Sequence, residues 1–155
     1  MTKLDKPIAL AADHGGFALK EAIKAHLQEK GLEFVDFGTT DGAACDYPDV
    51  ALPACNAVVE GRCGLALLFC GTGVGISMAA NKVRGIRACC CSDVFSAEFT
   101  RRHNDANALC MGGRVVGAGL ACSLVDAFLS AEYEGGRHDA RVAKLTAIEN
   151  QQAAL

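Results

Sequence analysis

Residues 67–77, LLFCGTGVGIS, set a thiol, Cys70, at the mouth of a loop with three glycines, Gly71, Gly73 and Gly75. The ISMAANK that follows looks like the opening of a helix. A glycine loop feeding a helix is suited to hold a phosphate or another anion on backbone N–H groups. An anion needs no thiol, so the cysteine requires its own explanation. Further acid–base and charged groups stand in short polar stretches: Asp13 and His14 in ADHGG, His103 and Asn104 in RRHNDAN, Arg114 in GGR, Arg137 and Arg141 in YEGGRHDAR. The last two are four apart and share one face if the segment is helical. No metal-ligand spacing accompanies them. The nine cysteines, at 45, 55, 63, 70, 89, 90, 91, 110 and 122, form no CxxC pair.

Each group has a plainer reading when taken alone. An Asp-His pair after a strand serves as a turn and helix cap. A histidine such as His103 suits a helix end that favours cations, and Arg137 with Arg141 makes a solvated face. Their joint occurrence with a glycine loop favours function. His26, among helix-surface positions, and His138, at most a neighbour of a phosphate site, receive no role. Most cysteines other than Cys70 lie in apolar runs such as RACCCSD and ALCMGG, where the thiol acts as a small hydrophobe in a reducing compartment.

The elements that must position these groups read as an alternation. Near-continuous apolar runs at 7–13, 32–38, 64–70, 85–91 and 107–113 fit strands buried on both faces of a parallel sheet. Between them lie helical patterns. Residues 16–31 carry Leu19, Ile23 and Leu27 on one stripe with Gly31 as the stop, and residues 49–61 tolerate Pro53 near a first turn. Residues 92–103 and 117–133 follow, and a last helix is expected at about 137–152. The expected fold is a three-layer α/β/α, Rossmann-like doubly wound domain with a parallel sheet of about five strands. Its ligands bind beyond the carboxyl ends of those strands.

Size and charge bound the rest. A chain of 155 residues, 51% hydrophobic with 17 glycines and 3 prolines, suits one domain over 1–155. A net charge of -3 without a basic run argues against nucleic acid or an acidic membrane surface and for a small molecule. No apolar stretch approaches the roughly 18 residues of a span. The N-terminus lacks signal-peptide features, so the expected location is cytoplasmic. A dinucleotide site is the competing reading. GTGVGI, however, lacks the third glycine of GxGxxG, follows the third strand and has no GK[ST] ending, although Asp93 after the next strand mimics the ribose-binding acid.

ADHGGFALK, DYPD, CGTGVGISMAANKVRGIRA, RRHNDAN, GGRVVG and YEGGRHDAR, in that order over nearly the whole chain, resemble the type B ribose-5-phosphate isomerases. These belong to the sugar-phosphate isomerase family that also holds the galactose-6-phosphate isomerase subunits. The resemblance implies an aldose–ketose isomerase working through an enediolate, without metal or cofactor. Cys70 falls on the family's base position, which accounts for the thiol, and the N–H groups of Gly71, Thr72, Gly73, Val74 and Gly75 are expected to stabilise the developing oxyanion. A helix N-terminus there favours a negative sulfur. His103 matches the ring-opening acid–base group, Asn104 a substrate-binding amide and Asp13 a carboxylate for sugar hydroxyls. His14, Arg137 and Arg141 match phosphate contacts, Arg114 another substrate contact, Thr72 a hydrogen-bonding partner of the reacting oxygens, and Tyr47 a pocket wall. One branch of the family uses glutamate where this chain has Ile76, so the chain falls in the thiol branch.

The implied substrate pair is ribose 5-phosphate and ribulose 5-phosphate. The alternatives are allose 6-phosphate, galactose 6-phosphate or a four-carbon phosphate, and, in another class, a non-catalytic nucleotide or phosphate-binding module. A homodimer with shared active sites is implied, or a dimer of dimers, with the last helix packing on a partner subunit.

Overall fold

The structure, a computed structural model, describes residues 5–152. Five strands alternate with helices: β1 (Ile8–Ala12), α1 (Phe17–Glu29), β2 (Phe34–Asp36), α2 (Tyr47–Val59), β3 (Ala66–Cys70), α3 (Val74–Ala80), β4 (Ala88–Cys90), α4 (Val94–Asn104), β5 (Ala108–Gly112) and α5 (Ala118–Ser130). A 3₁₀ turn, Gly136–His138, then leads into α6 (Asp139–Gln152). All pairings are parallel, in the order β2-β1-β3-β5-β4. The expected class and strand count are therefore those observed.

β1, β3 and β5 are buried along their whole length because helices cover both faces of the sheet. One layer holds α1, α4 and α5, whose Leu19, Ile23, Leu27, Leu124 and Phe128 pack on Leu10, Leu67 and Leu109. The other holds α2 and α3, where Val50, Ala54, Ile76 and Ala80 meet Ala11, Leu68 and Cys110. The winding reverses between β1 and β3, so the carboxyl ends of those two strands flank the crevice where such folds bind ligands.

Three expectations need correcting. β2 and β4 are three-residue edge strands rather than strands buried on both faces, and Val35 in β2 is 40% exposed. α2 starts earlier than expected, with Pro48 near its start, which places Pro53 in the helix interior. The last helix starts at Asp139, so Arg137 belongs to the preceding 3₁₀ turn and does not share a continuous helix with Arg141.

One polar group is fully buried in the first layer. The Lys20 ammonium, with no exposed surface, donates to both Asp36 oxygens at 2.7 Å and to the Thr39 carbonyl at 2.5 Å, and Lys24 adds a contact to Asp36 at 2.9 Å. This ties the end of the edge strand β2 to α1. A buried ammonium persists only when its donors are matched in this way.

Candidate active site

At the carboxyl end of β3 the Cys70 side chain is buried, and its sulfur accepts the Gly73 N–H at 3.1 Å. The loop closes because Gly73 has φ of 80°, a left-handed value open to glycine, and because a Cβ there would fall 2.7 Å from the Cys90 sulfur. Thr72 is exposed and its hydroxyl accepts the Val74 N–H at 3.3 Å. The Gly73 N–H is thus committed to the thiol, and the Val74 N–H is shared with Thr72. The set expected to face an oxyanion is reduced to that extent.

The neighbouring β1 end brings Asp13 against this loop. Its Oδ1 accepts the N–H groups of Gly15 at 2.8 Å and Gly16 at 3.0 Å, a local turn that fixes the carboxylate against the loop. Backbones meet here, since a Cβ on Gly15 would stand 2.9 Å from the Gly71 nitrogen. His14 is exposed beside them. Arg114, one turn past β5, donates its N–H to the Gly71 carbonyl and lays its guanidinium along Gly71. The Tyr47 ring covers Gly75 so closely that a Cβ there would lie 2.9 Å from it. Asp13, His14, Tyr47, Cys70, the loop and Arg114 therefore form one cluster.

Cys45, read from sequence as an apolar filler, also belongs to this rim. Burial, then the Asp13 charge, pushes its thiol pKa up, while the His14 N–H draws it back. Asp93, the residue that mimicked a ribose-binding acid, caps α4 by accepting the Ser96 N–H at 2.7 Å.

The remaining predicted residues lie at the other edge of the sheet. In a parallel sheet α4 must run back from the carboxyl end of β4 to the amino end of β5, so its last turn, with His103 and Asn104, sits beside the start of β5. The segment after α5 returns to the same place. There the Glu134 N–H donates to the Arg102 carbonyl at 3.0 Å, and Arg137 and Arg141 follow. From Ala66 at this edge, β3 runs four steps to Cys70, roughly 13 Å at the usual rise per residue. The two groups do not meet within one chain. A cleft of about 610 Å³ beside Asn104, between α6 and residues 81–89, contains no group of the upper edge.

Sequence reasoning missed two residues at this lower edge. His138 is buried and stacks on His103, with ring centroids 4.1 Å apart and planes 13° apart. Glu134 places Oε2 at 3.6 Å from His103 Nε2 and 3.8 Å from His138 Nε2. The four-residue step from Glu134 to His138 was the available signal. Among the described residues, His103, Glu134 and His138 form the one group of such side chains whose ligand atoms, within 4.8 Å of one another, are close enough to share an ion. Arg102 on Glu134 and the Arg137 Nε facing His138 at 3.3 Å make the setting cationic, which opposes a dication.

Fold and loop define an α/β protein with a glycine loop at its topological switch point, an arrangement suited to a small anionic ligand. A sequence profile described as Ribose/Galactose Isomerase matches residues 8–145, and the chain belongs to that family. It is 52% identical over 147 residues to ribose-5-phosphate isomerase B of Escherichia coli, covering 95% of this chain and 99% of the relative. It is 40% identical over 146 residues to D-erythrulose-4-phosphate isomerase of Pectobacterium atrosepticum, covering 94% and 96%. The solved ribose-5-phosphate isomerase B of Clostridium thermocellum superposes with a TM-score of 0.92 at 48% identity, covering 94% of this chain and 99% of that one. No helix among the described residues is long and apolar enough to cross a membrane.

Proposed function

We propose that the protein interconverts ribose 5-phosphate and ribulose 5-phosphate, with Cys70 as the base. One observation carries this reading: a buried thiol, bonded by a loop N–H, stands on a glycine loop at the switch point in a chain that is 52% identical to a ribose-5-phosphate isomerase. The Cys70 thiolate takes the C2 proton of the open aldose. The electron pair moves into an enediolate, the O2 proton passes to O1 with the Thr72 hydroxyl bridging, and the thiol returns its proton at C1. Loop N–H groups stabilise the negative oxygen as it forms. A positioned base and fixed donors suffice for this proton transfer, so the reading calls on no metal or cofactor. The Asp13 carboxylate holds sugar hydroxyls, and His14, Tyr47 and Arg114 line the sugar.

A second copy of the chain completes each site. His103, Asn104, Arg137 and Arg141 serve the upper cluster of the partner, His103 opening the furanose ring and the two guanidinium groups taking the phosphate. α6 suits this arrangement, since none of its described residues is buried and Leu145 and Ile148 are 49% and 57% exposed. The α2–α3 face likewise exposes Leu52, Val74 and Met78. These apolar positions are the ones we assign to the homodimer contact. Nine free cysteines fit a reducing cytoplasm.

Likeness to an erythrulose-phosphate enzyme makes a four-carbon phosphate the second reading. A panel of four-, five- and six-carbon sugar phosphates decides between them. The five-carbon pair is expected to give the highest kcat/KM, and a higher value for the four-carbon sugar would replace the substrate while leaving the chemistry unchanged.

A further inference from the structure

His138 alone among the four histidines is buried, yet the isomerase reading gives it no task. The His103 ring has two aromatic neighbours. Phe99 stands nearly perpendicular to it at 4.8 Å and 76°, and His138 lies nearly parallel at 4.1 Å. Phe99 is itself fixed by stacking on Phe95 at 4.2 Å and by the Arg102 guanidinium over its ring at 4.7 Å.

Glu134 is fixed from the same helix turn. Arg102 grips its Oε1 at 2.5 and 2.7 Å and accepts its backbone N–H, which leaves Oε2 facing both imidazoles. We propose that His138 and Glu134 are positioning residues for His103: His138 is the plate that sets the plane of the catalytic imidazole, and Glu134 is the carboxylate that sets the direction of its Nε2.

The electrostatics suit a plate that does not itself exchange protons. Arg137 Nε donates to His138 Nε2 at 3.3 Å, so that nitrogen presents a lone pair. Burial, followed by the charges of His103 and Arg137, holds His138 below the ordinary imidazole value and hence neutral. The Arg102 hydrogen bonds hold Glu134 below the usual carboxylate range, so it stays charged. A neutral ring stacks on His103 without repelling it when His103 gains a proton. The contact also joins the turn after α5 to the end of α4, where the His103 side chain is 29% exposed.

The inference rests on the reading of His103 as the ring-opening group, and the test separates the two. The variants are His138→Ala, His138→Phe, Glu134→Gln, His103→Asn and the double His103→Asn/His138→Ala. Turnover of ribose 5-phosphate is compared with solvent-deuterium exchange into ribulose 5-phosphate, which enters as the open ketone. His138→Ala and Glu134→Gln are expected to lower kcat on ribose 5-phosphate about tenfold or more while leaving KM and ketose exchange within about twofold, the pattern of a displaced catalytic group. His138→Phe, which keeps a flat ring, should restore most of the rate. The double variant should be no slower than His103→Asn alone, because residues acting through one another are not additive.

Equal losses on both sugars together with a raised KM would make His138 a phosphate contact and overturn the proposal, as would a further tenfold loss in the double variant. NMR of the His103 Cε1–H supplies a readout independent of activity. Its shift should move in His138→Ala and return in His138→Phe, and an unmoved signal overturns positioning outright. A moved signal with unchanged turnover of ribose 5-phosphate would support the positioning and instead remove His103 from ring opening. Glu134 is more than a third exposed, so its variant keeps the test intact should His138→Ala fail to fold.

Discussion

A thiol buried beneath a glycine loop is an unusual place for chemistry, because burial of an unreactive cysteine needs no N–H pointed at its sulfur. At Cys70 the Gly73 N–H points at the sulfur from 3.1 Å. Cys70→Ala should therefore leave the fold and substrate binding largely intact and lower kcat by about 10²–10⁴-fold, the usual worth of a positioned base. The measurement is steady-state turnover with a circular dichroism melt as control, and near-normal turnover ends the thiol-base reading. Cys70, Thr72, Asp13 and Arg114 were legible because each stands at, or within two residues beyond, the end of a strand that the apolar pattern marks. Cys45, Glu134 and His138 were not. Their partners, Asp13 and His103, are tens of residues away in sequence, and only the return of the chain brings them together.

The elements themselves were legible where burial is two-sided, and less so where it is not. β1, β3 and β5 lie within the apolar runs that mark them, whereas β2 and β4 shrink to three residues since an edge strand pairs on one side only and its ends are free to leave the sheet. Nothing local in the sequence distinguishes an apolar run at an edge from one in the middle. The edge at β2 is held instead by Lys20 and Asp36, a pair sixteen residues apart. Burial pushes the Asp36 carboxyl up, but hydrogen bonds from Lys20, the Gly38 N–H and Lys24 outweigh it, and the group titrates below its ordinary 3.8. A depressed carboxylate adds stability that is complete above its unfolded value and drains as pH falls toward the folded one. Asp36→Asn takes the close counter-charge from the buried Lys20 ammonium, leaving only the partly exposed Glu21 carboxylate at 3.6 Å, and should cost about 3 kcal/mol near neutrality. Urea midpoints from pH 7 down to 2.5 check both parts: the variant starts lower, and its stability falls less steeply below about pH 4. Parallel curves through that window would show that the pair contributes nothing there.

At the scale of the whole molecule the strand order decides what one chain is able to do. β5 inserts between β3 and β4, and parallel strands oblige every intervening helix to run back, so the last turn of α4 comes to rest at the amino edge with His103. This much was legible: a residue just before a parallel strand lies at the edge opposite the strand ends, although the insertion of β5 was not, because no residue pattern encodes strand order. On the proposed reading, a site that needs both Cys70 and His103 is completed in trans, and a symmetric pair of chains offers two such sites. Mixing inactive variants tests this directly. In a heterodimer of a Cys70→Ala chain and a His103→Asn chain, one site carries both lesions while the other pairs an intact Cys70 with an intact His103. Random pairing of equal amounts makes half the dimers mixed, each with one working site, so co-refolding should recover about a quarter of the parent turnover of ribose 5-phosphate. Refolding each variant alone should recover only its own residual rate. Activity in the mixture no greater than the average of the two separate samples would mean that the groups do not meet across a dimer, and the sharing of sites between chains would have to be abandoned.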